Sequence, residues 1–382
     1  MRKRHSKETG TAKYISGEVK SFDQKNEMFK RPRWDPDMAE VGKKIFGYVY
    51  PKEKYGHTLK DIAFKNAAWH IETGFAHGNV TQDTGMYAWD QKLVGVSRVP
   101  EGLKLEIDDP AKMSKDLKKV ATTLGASLAG ICEVDGRWVY SHSFHFATKA
   151  HHELKLPEEY RHAIVMAFEM PYELCQTSPT LLAEVAEGWG YSFMAYTATM
   201  VAQFIRGLGY KAIPSGNDTA IGIPLAIDAG LGELGRNGLL ITREFGPRVR
   251  ISKVFTDLPL VPDKPVDFGV TRFCLHCEKC AKHCPSQAIL YGERRTEPHN
   301  ISNAEGELKW PINAEKCLGF WSLNEGSCMN CIRVCPFNKP KGWLHTMVRW
   351  FIKHTPWLDS FIVKMDDLVG YGKQKKHVFW SE

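Results

Sequence analysis

The sequence lacks any apolar run that approaches the roughly 20 residues of a membrane-spanning helix. Its basic residues 1–8 are not followed by an apolar segment, so they match neither a secretory signal nor a twin-arginine signal. These absences predict a cytoplasmic protein without a transmembrane segment. The alternative is an exported protein from which a twin-arginine signal has been removed.

The sequence also lacks a strong charge of one sign and a disulfide framework. Lys and Arg number 51 and Asp and Glu 44, a formal net charge of +7, and the basic residues are scattered singly. No nucleic-acid partner is therefore predicted. Only Cys132 and Cys175 lie outside one cysteine-rich stretch, in apolar-leaning segments that are typical of buried thiols.

That stretch, residues 274–335, holds eight of the ten cysteines. It reads C-x2-C-x2-C-x3-C-P, then a lone cysteine, then C-x2-C-x3-C-P, which is the ferredoxin pattern for two [4Fe–4S] clusters. In that pattern the last cysteine of each run ligates the other cluster. Zinc does not fit, because it takes four ligands as two C-x2-C pairs and needs no C-P after each group. The expected ligands are Cys274, Cys277, Cys280 and Cys335 for one cluster and Cys317, Cys328, Cys331 and Cys284 for the other.

Helix and strand patterns alternate in the middle of the chain and predict an α+β fold. Apolar residues at helical spacing precede Gly125, which is expected to cap a helix. Strands are expected at 127–132 and 137–140, and the continuous apolar run 163–168 predicts a buried central strand.

A long helix is expected to follow. Ser178 and Pro179 suit its N-cap and first position, and Gly209 follows its end. Gly188 and Gly190 leave open a break within it.

These patterns divide the chain into four expected segments. Residues 1–115 form an N-terminal extension that wraps the core, and residues 116–262 form the α+β core. Residues 263–340 form a ferredoxin-like two-cluster domain, and residues 341–382 form a C-terminal tail packed on the core.

Gly230, Gly232 and Gly235 match the G-x-G-x-x-G pattern of dinucleotide-binding folds, but their context differs. That fingerprint opens a helix after a strand, whereas here a loop and a strand follow, with Pro247 where the helix would lie. NAD is therefore disfavoured. The glycines still predict that a large flat ligand can approach the backbone closely.

The same region carries a resemblance to a known family. AGLGELGRNG at 229–238, ITREFGPRVR at 241–250 and TDLPL at 256–260, followed by the two cysteine runs, resemble the reductive dehalogenases. The likeness covers roughly residues 105–382.

The resemblance implies a nitroreductase-like, corrinoid-binding core joined to a ferredoxin-like domain with two [4Fe–4S] clusters. It implies a base-off cobalamin, an organohalide substrate and a tyrosine that gives a proton to carbon. The residues that match best are Tyr191 as proton donor, Arg250 as its support and Asn217 as a polar partner. The expected corrinoid contacts are Gly230, Gly232, Gly235, Arg236, Gly238 and Thr242.

The proposed residue types make chemical sense together. A phenol with a pKa near 10 is a weak acid at neutral pH, and a guanidinium beside it stabilises the phenolate that proton transfer leaves. Tyr191 also shares the spacing of the apolar stripe through Ala198 and Ile205, so it could equally be an ordinary core tyrosine. Tyr196 is a nearby competitor.

Two other functions remain open from the sequence. An epoxyqueuosine reductase would use the same cofactors, but its Arg-Asp-Tyr-His motif is absent. An electron-transfer ferredoxin module would explain the cysteines and leave the upstream residues without a role. The expected electron donor is a separate ferredoxin, flavodoxin or membrane-anchor partner.

The histidines at 142, 145, 151 and 152 show no metal-site spacing and are interpreted as structural.

Overall fold

The structure is a computed structural model that describes residues 9–47, 54–77, 84–93, 95–97, 100, 102–376 and 379–380. Its strands are β1 Leu128–Glu133, β2 His142–Phe144, β3 His151–Glu153, β4 His162–Glu169, β5 Ala212–Ser215, β6 Glu233–Leu234, β7 Leu240–Ile241 and β8 Val249–Thr256. Its helices are α1 Ala39–Phe46, α2 Leu59–Ile71, α3 Pro110–Thr123, α4 Tyr172–Cys175, α5 Leu181–Gly207, α6 Gly222–Asp228, α7 Val270–His276, α8 Lys279–Lys282, α9 Ala314–Asn324, α10 Asn330–Arg333, α11 Trp343–His354 and α12 Asp359–Leu368. Within these described residues no helix is long and apolar enough to cross a membrane.

A four-stranded antiparallel sheet, in the order β1-β4-β8-β5, forms the centre of the core. Alternate residues of β4 face opposite layers, as the two-residue period of a strand requires. Ile164, Met166 and Phe168 pack with α3 and α5, whereas Ala163 and Val165 pack with α6. Because both faces are covered, β4 is apolar throughout, which confirms the buried central strand.

Helix α5 is continuous and begins later than expected. Its N-cap is Thr180, whose hydroxyl accepts a hydrogen bond from the Ala183 N–H, so the prediction of Ser178 was wrong by two residues. Ser178 instead donates a hydrogen bond from its hydroxyl to the Asn330 side chain in the cysteine-rich domain. The helix also runs unbroken through Gly188 and Gly190.

Two further expectations were wrong. Residues 137–140 do not form a strand: Asp135 caps a single 3-10 turn, Gly136–Trp138, which places the Trp138 ring in the core under β4. The expected boundary between residues 115 and 116 falls inside α3, which is capped at Asp109 and is one packed unit. The core therefore begins by residue 109.

The expected tail contacts both the core, where Lys341 lies 5.5 Å from the Phe245 ring, and the cysteine-rich domain. Arg272 on α7 forms an ion pair with the buried Asp359 of α12 at 3.0 Å. Only near its end does the tail meet core-side helices, where the Trp380 indole donates a hydrogen bond to Asp61 of α2 at 2.9 Å. The tail thus holds the cysteine-rich domain and α2 together.

Candidate active site

The eight thiols of residues 274–335 interact with one another electrostatically, and the interacting pairs include those that the crossed ferredoxin pattern predicts. Each expected group combines three neighbouring cysteines of one run with the last cysteine of the other. The Cys280 thiol interacts electrostatically with Cys335, which follows it by 55 residues, and the Cys331 thiol interacts with Cys284. The expected groups are Cys274, Cys277, Cys280 and Cys335, and Cys317, Cys328, Cys331 and Cys284. Thiols of the two groups also interact, Cys280 with Cys331 and Cys331 with Cys335.

The spacing of these thiols does not suit a single zinc ion. Four thiolates on one zinc ion would lie about 3.8 Å apart, given a Zn–S bond of about 2.3 Å. Within the described residues, no three of the eight thiols lie within 4.8 Å of one another. This spacing disfavours a single zinc ion, and the crossed ligation of two four-iron clusters stays a prediction.

The group that contains Cys317 lies against α5. Met329 and Ile332, which flank Cys331, pack with Leu182, Ala183 and Ala186 in one apolar cluster. The Cys317 thiol also interacts electrostatically with Glu187, one helical turn before Tyr191. This group is thus the one that borders the core helix.

Tyr191 lies in the middle of α5 and contacts residues from three other parts of the chain. The Asn217 amide donates a hydrogen bond to the Tyr191 hydroxyl oxygen at 2.9 Å. The Arg250 guanidinium lies 4.9 Å from the centre of the Tyr191 ring, and the Trp69 ring stacks on it at 5.0 Å. The structure therefore brings together all three predicted catalytic residues.

Two charged side chains at this site, Arg250 and Glu187, form a buried ion pair. Arg250 contacts the Glu187 carboxylate, which keeps the pKa of Arg250 above its usual value although burial alone would lower it. Burial raises the pKa of Tyr191 above its usual value of 10, and the Arg250 charge opposes that rise. The Tyr191 phenol is therefore protonated at neutral pH. The Arg250 guanidinium lies where it would stabilise the phenolate that forms when the proton is lost.

The strand β8 positions both Arg250 and the turn that carries Asn217. Arg250 pairs with Phe168 on β4, and Lys253 pairs with Ser215 at the end of β5. The buried Lys253 ammonium donates hydrogen bonds to the carbonyl oxygens of Gly216 and Ala220, on either side of Asn217. Burial lowers the pKa of Lys253 to about 8.

Sequence reasoning missed several groups that line this site, namely Trp69, Glu72 and Tyr87, and the packing role of Gly188 and Gly190 in α5. A Cβ at Gly188 would lie 2.4 Å from Trp69 Cδ1, and one at Gly190 would lie 2.6 Å from Arg250 Cγ. Each glycine costs a helix interior about 1 kcal/mol relative to alanine. Two glycines so close together inside an apolar helix were the sequence signal that large side chains pack against it.

Polar atoms without partners collect around Tyr191. Trp69 Nε1, Glu72 Oε2, Tyr87 Oη and Arg250 Nε are buried, and none has a hydrogen-bond partner among the described residues. Such atoms are rare in folded proteins, because each costs free energy unless a ligand or water satisfies it. These residues therefore fit a bound polar group such as the rim of a corrinoid.

The glycine-rich loop, by contrast, packs against the protein itself. A Cβ at Gly232 would lie 2.3 Å from the Ile241 carbonyl oxygen, and one at Gly230 would lie 2.6 Å from that of Lys264. Arg236 is wholly buried and donates to the Cys274 and Leu290 carbonyl oxygens.

The remaining predicted residues of this loop are enclosed in the same way. A Cβ at Gly235 would meet Ile241, and one at Gly238 would meet Ile312 of the cysteine-rich domain. Thr242 is wholly buried and bonds to Gly246. These contacts show that the loop joins the two domains, and its role in corrinoid binding stays a prediction.

Two other features are separate from this site. Tyr196 is 49% exposed and has no contact with Arg250, so Tyr191 is the better candidate of the two tyrosines. A groove of about 770 Å³ lies between α3 and the second half of α5, and none of its lining residues belongs to the Tyr191 site.

Comparison with known proteins gives consistent results for both regions. Residues 273–339 match the 4Fe-4S dicluster domain, and residues 146–260 match the reductive dehalogenase subunit family. The chain is 36% identical to the tetrachloroethene reductive dehalogenase of Sulfurospirillum multivorans over 376 residues, which cover 90% of this chain and 74% of that protein. It is 38% identical to that of Desulfitobacterium hafniense over 328 residues, covering 75% of this chain and 59% of the relative.

A solved structure has the same fold. It is a reductive dehalogenase whose description concerns B12-dependent dehalogenation. The two superpose with a TM-score of 0.75 at 22% identity, over 96% of this chain and 49% of that one.

Proposed function

This chain belongs to the reductive dehalogenase family, oxidoreductases that act on carbon–halogen bonds, and we propose that it removes halide from a small organohalide using two electrons and one proton. The observation that carries the proposal is the position of Tyr191. Its hydroxyl is held by Asn217 and its ring by Arg250, beside partnerless buried polar atoms. The cysteines of one cluster border the same helix.

The proposed cofactors are two [4Fe–4S] clusters and a base-off cobalamin in a nitroreductase-like core. The clusters would be held by the two crossed groups of cysteines and would carry electrons inward from a separate donor. Cobalamin, when bound, supplies low-valent cobalt chemistry for reduction of the carbon–halogen bond. Trp69, Glu72 and Tyr87 are the residues that would meet it, because their polar atoms lack partners within the described protein.

Tyr191 is proposed to supply the proton. The Asn217 amide donates to the hydroxyl oxygen, so the hydroxyl hydrogen remains free for transfer to carbon. In the net reaction the carbon–halogen bond breaks, halide leaves, and the two electrons with the tyrosine proton form the new carbon–hydrogen bond. Arg250 stabilises the phenolate until solvent returns a proton.

The alternatives fit less well. An epoxyqueuosine reductase would need an acid motif that the sequence does not contain, and the matched relatives named above are all dehalogenases. A plain ferredoxin module would not need a polar tyrosine site beyond its cluster domain. A cytoplasmic location and the identity of the electron donor stay predictions.

The decisive experiment is halide release by protein loaded with clusters and cobalamin, driven by a strong reductant. Tyr191→Phe should lower turnover by about 10²–10⁴-fold, because the phenyl ring has no proton to give. Tyr196→Phe, at the exposed tyrosine, should keep normal turnover. Full activity of Tyr191→Phe would remove Tyr191 from this role, and protein with intact clusters that binds no cobalamin would overturn the proposed reaction.

A further inference from the structure

Three metal-ligating side chains meet outside the Tyr191 site. The ligand atoms of Asp23, His142 and His151 all lie within 4.8 Å of one another, and this is the one such group of three or more in the described part of the chain. We propose that these residues bind a divalent transition-metal ion of the zinc class. Two imidazoles and one carboxylate with open positions are a donor set that such ions favour.

Backbone pairing places the three ligands, although their sequence spacing shows no metal motif. Strands β2 and β3 are antiparallel, with His142 opposite Glu153 and Phe144 opposite His151. His142 and His151 therefore lie on the same face of the hairpin, and their rings are 4.9 Å apart. Asp23 forms a parallel backbone bridge with His142, which brings the carboxylate to that face.

The side chains are already oriented toward each other. His151 Nε2 lies 3.0 Å and 3.1 Å from the two carboxylate oxygens of Asp23. The Ser141 hydroxyl lies 3.1 Å from His142 Nδ1, an outer contact of the kind that orients ligating imidazoles. Lys25, at 3.8 Å from Asp23, is the one competing cation paired with that carboxylate among the described residues.

The site is accessible and yet anchored. Asp23 and His142 are half-buried, whereas His151 is exposed, so an ion can enter from solvent and keep water in its open positions. Metal binding would replace the hydrogen bond between His151 and Asp23 with stronger coordination bonds. The ion would thereby pin the segment at residue 23 to the β2–β3 hairpin.

That segment leads directly to the turn that carries Asn217. The Gln24 side chain accepts a hydrogen bond from the Phe144 N–H and donates one to the Asn217 carbonyl oxygen. Glu27 accepts a hydrogen bond from the Tyr140 hydroxyl. The ion would therefore have a structural role: it would hold the segment at residue 23 against the β2–β3 hairpin at the edge of the candidate active site. Its binding does not depend on the function proposed above.

The test is a calorimetric titration of Zn²⁺ into the whole, cluster-loaded chain, with the cluster absorbance followed in parallel. We expect one equivalent to bind without loss of absorbance and to raise the unfolding temperature. His151→Ala should weaken binding at least about tenfold and abolish that thermal shift. The matched control is His152→Ala, since His152 is equally exposed but lies on the opposite face of β3.

Three results would overturn the proposal. One is the absence of saturable binding, and another is unchanged affinity in a His142→Ala/His151→Ala double variant. The third is bleaching of the clusters in step with binding, which would place the ion at the cysteines. The exposed position of His151 makes misfolding of its variant a poor explanation for lost binding, and unchanged cluster absorbance checks this.

Discussion

The cluster cysteines and the Tyr191 site assemble their chemistry in opposite ways. Three of the four ligands of each cluster come from one short stretch, and their residue type is uncommon elsewhere in the chain. Tyr191, Asn217 and Arg250 are common residue types on a helix, a turn and a strand, and they meet only through packing. The proposed clusters are thus encoded mainly by local spacing, whereas the proposed proton donor is defined by neighbours distant in sequence.

The largest effect is expected at the crossed ligands, the last cysteine of each run, because their partners are not neighbours in sequence. Cys335→Ser should abolish turnover and remove about half of the bound iron, because one cluster loses a ligand. Adding Cys274→Ser should remove no more iron, whereas adding Cys328→Ser should remove the rest. Iron and sulfide analysis measures this, with Cys132→Ala as a control away from the clusters. Additive loss in the first double variant would contradict the crossed groups.

The next effect concerns the charge beside Tyr191. Replacing both partners of the ion pair, in Arg250→Gln/Glu187→Gln, avoids an unpaired buried charge and should lower turnover by about 10²-fold. Arg250 lowers the Tyr191 pKa and Glu187 raises it, with Arg250 the stronger. Because the donor must be protonated, activity falls as pH rises through this pKa.

The pH profiles of the two variants should therefore move in opposite directions. The double variant should move the alkaline limb of kcat to higher pH, whereas Glu187→Gln alone should move it to lower pH. Shifts in the same direction would show that Tyr191 is not the group that titrates.

A moderate effect on stability is expected at the helix glycines. Gly190→Ala should destabilise the protein by about 1–3 kcal/mol, since the added methyl would overlap Arg250. Gly207→Ala, in the same helix, meets nothing closer than Leu93 at 4.0 Å and should stabilise it by up to about 1 kcal/mol. Thermal unfolding of the two variants compares them directly, and equal stabilisation would mean that Gly190 is not needed for close approach.

The smallest effect is expected at Asn217, which is exposed and contributes one hydrogen bond. Asn217→Ala should lower turnover by about 2- to 10-fold, the usual net value of such a bond. Single-turnover halide release measures the change. A loss as large as that of Tyr191→Phe would mean that Asn217 does more than orient the hydroxyl.

The sequence predictions that were wrong failed for the same reason that separates the two regions compared above, namely long-range contacts. Ser178 and Thr180 are both good N-caps, and only the contact of Ser178 with Asn330 in another domain decides between them. Residues 137–140 likewise indicated a strand, yet they belong to a turn capped by Asp135 that places Trp138 in the core. In each case a local pattern allowed two outcomes and a long-range contact selected one.

The sequence by itself determined the two-cluster cysteine pattern, the α+β class, the central strand and the resemblance to reductive dehalogenases. These depend on residue type and short spacing, which a chain displays without folding. Only the tertiary structure placed Tyr191 beside Asn217 and Arg250, packed Trp69 and Arg250 against Gly188 and Gly190, and brought His142 and His151 to Asp23. The reason is physical: these roles arise from contacts between residues distant in sequence, and packing alone sets those contacts.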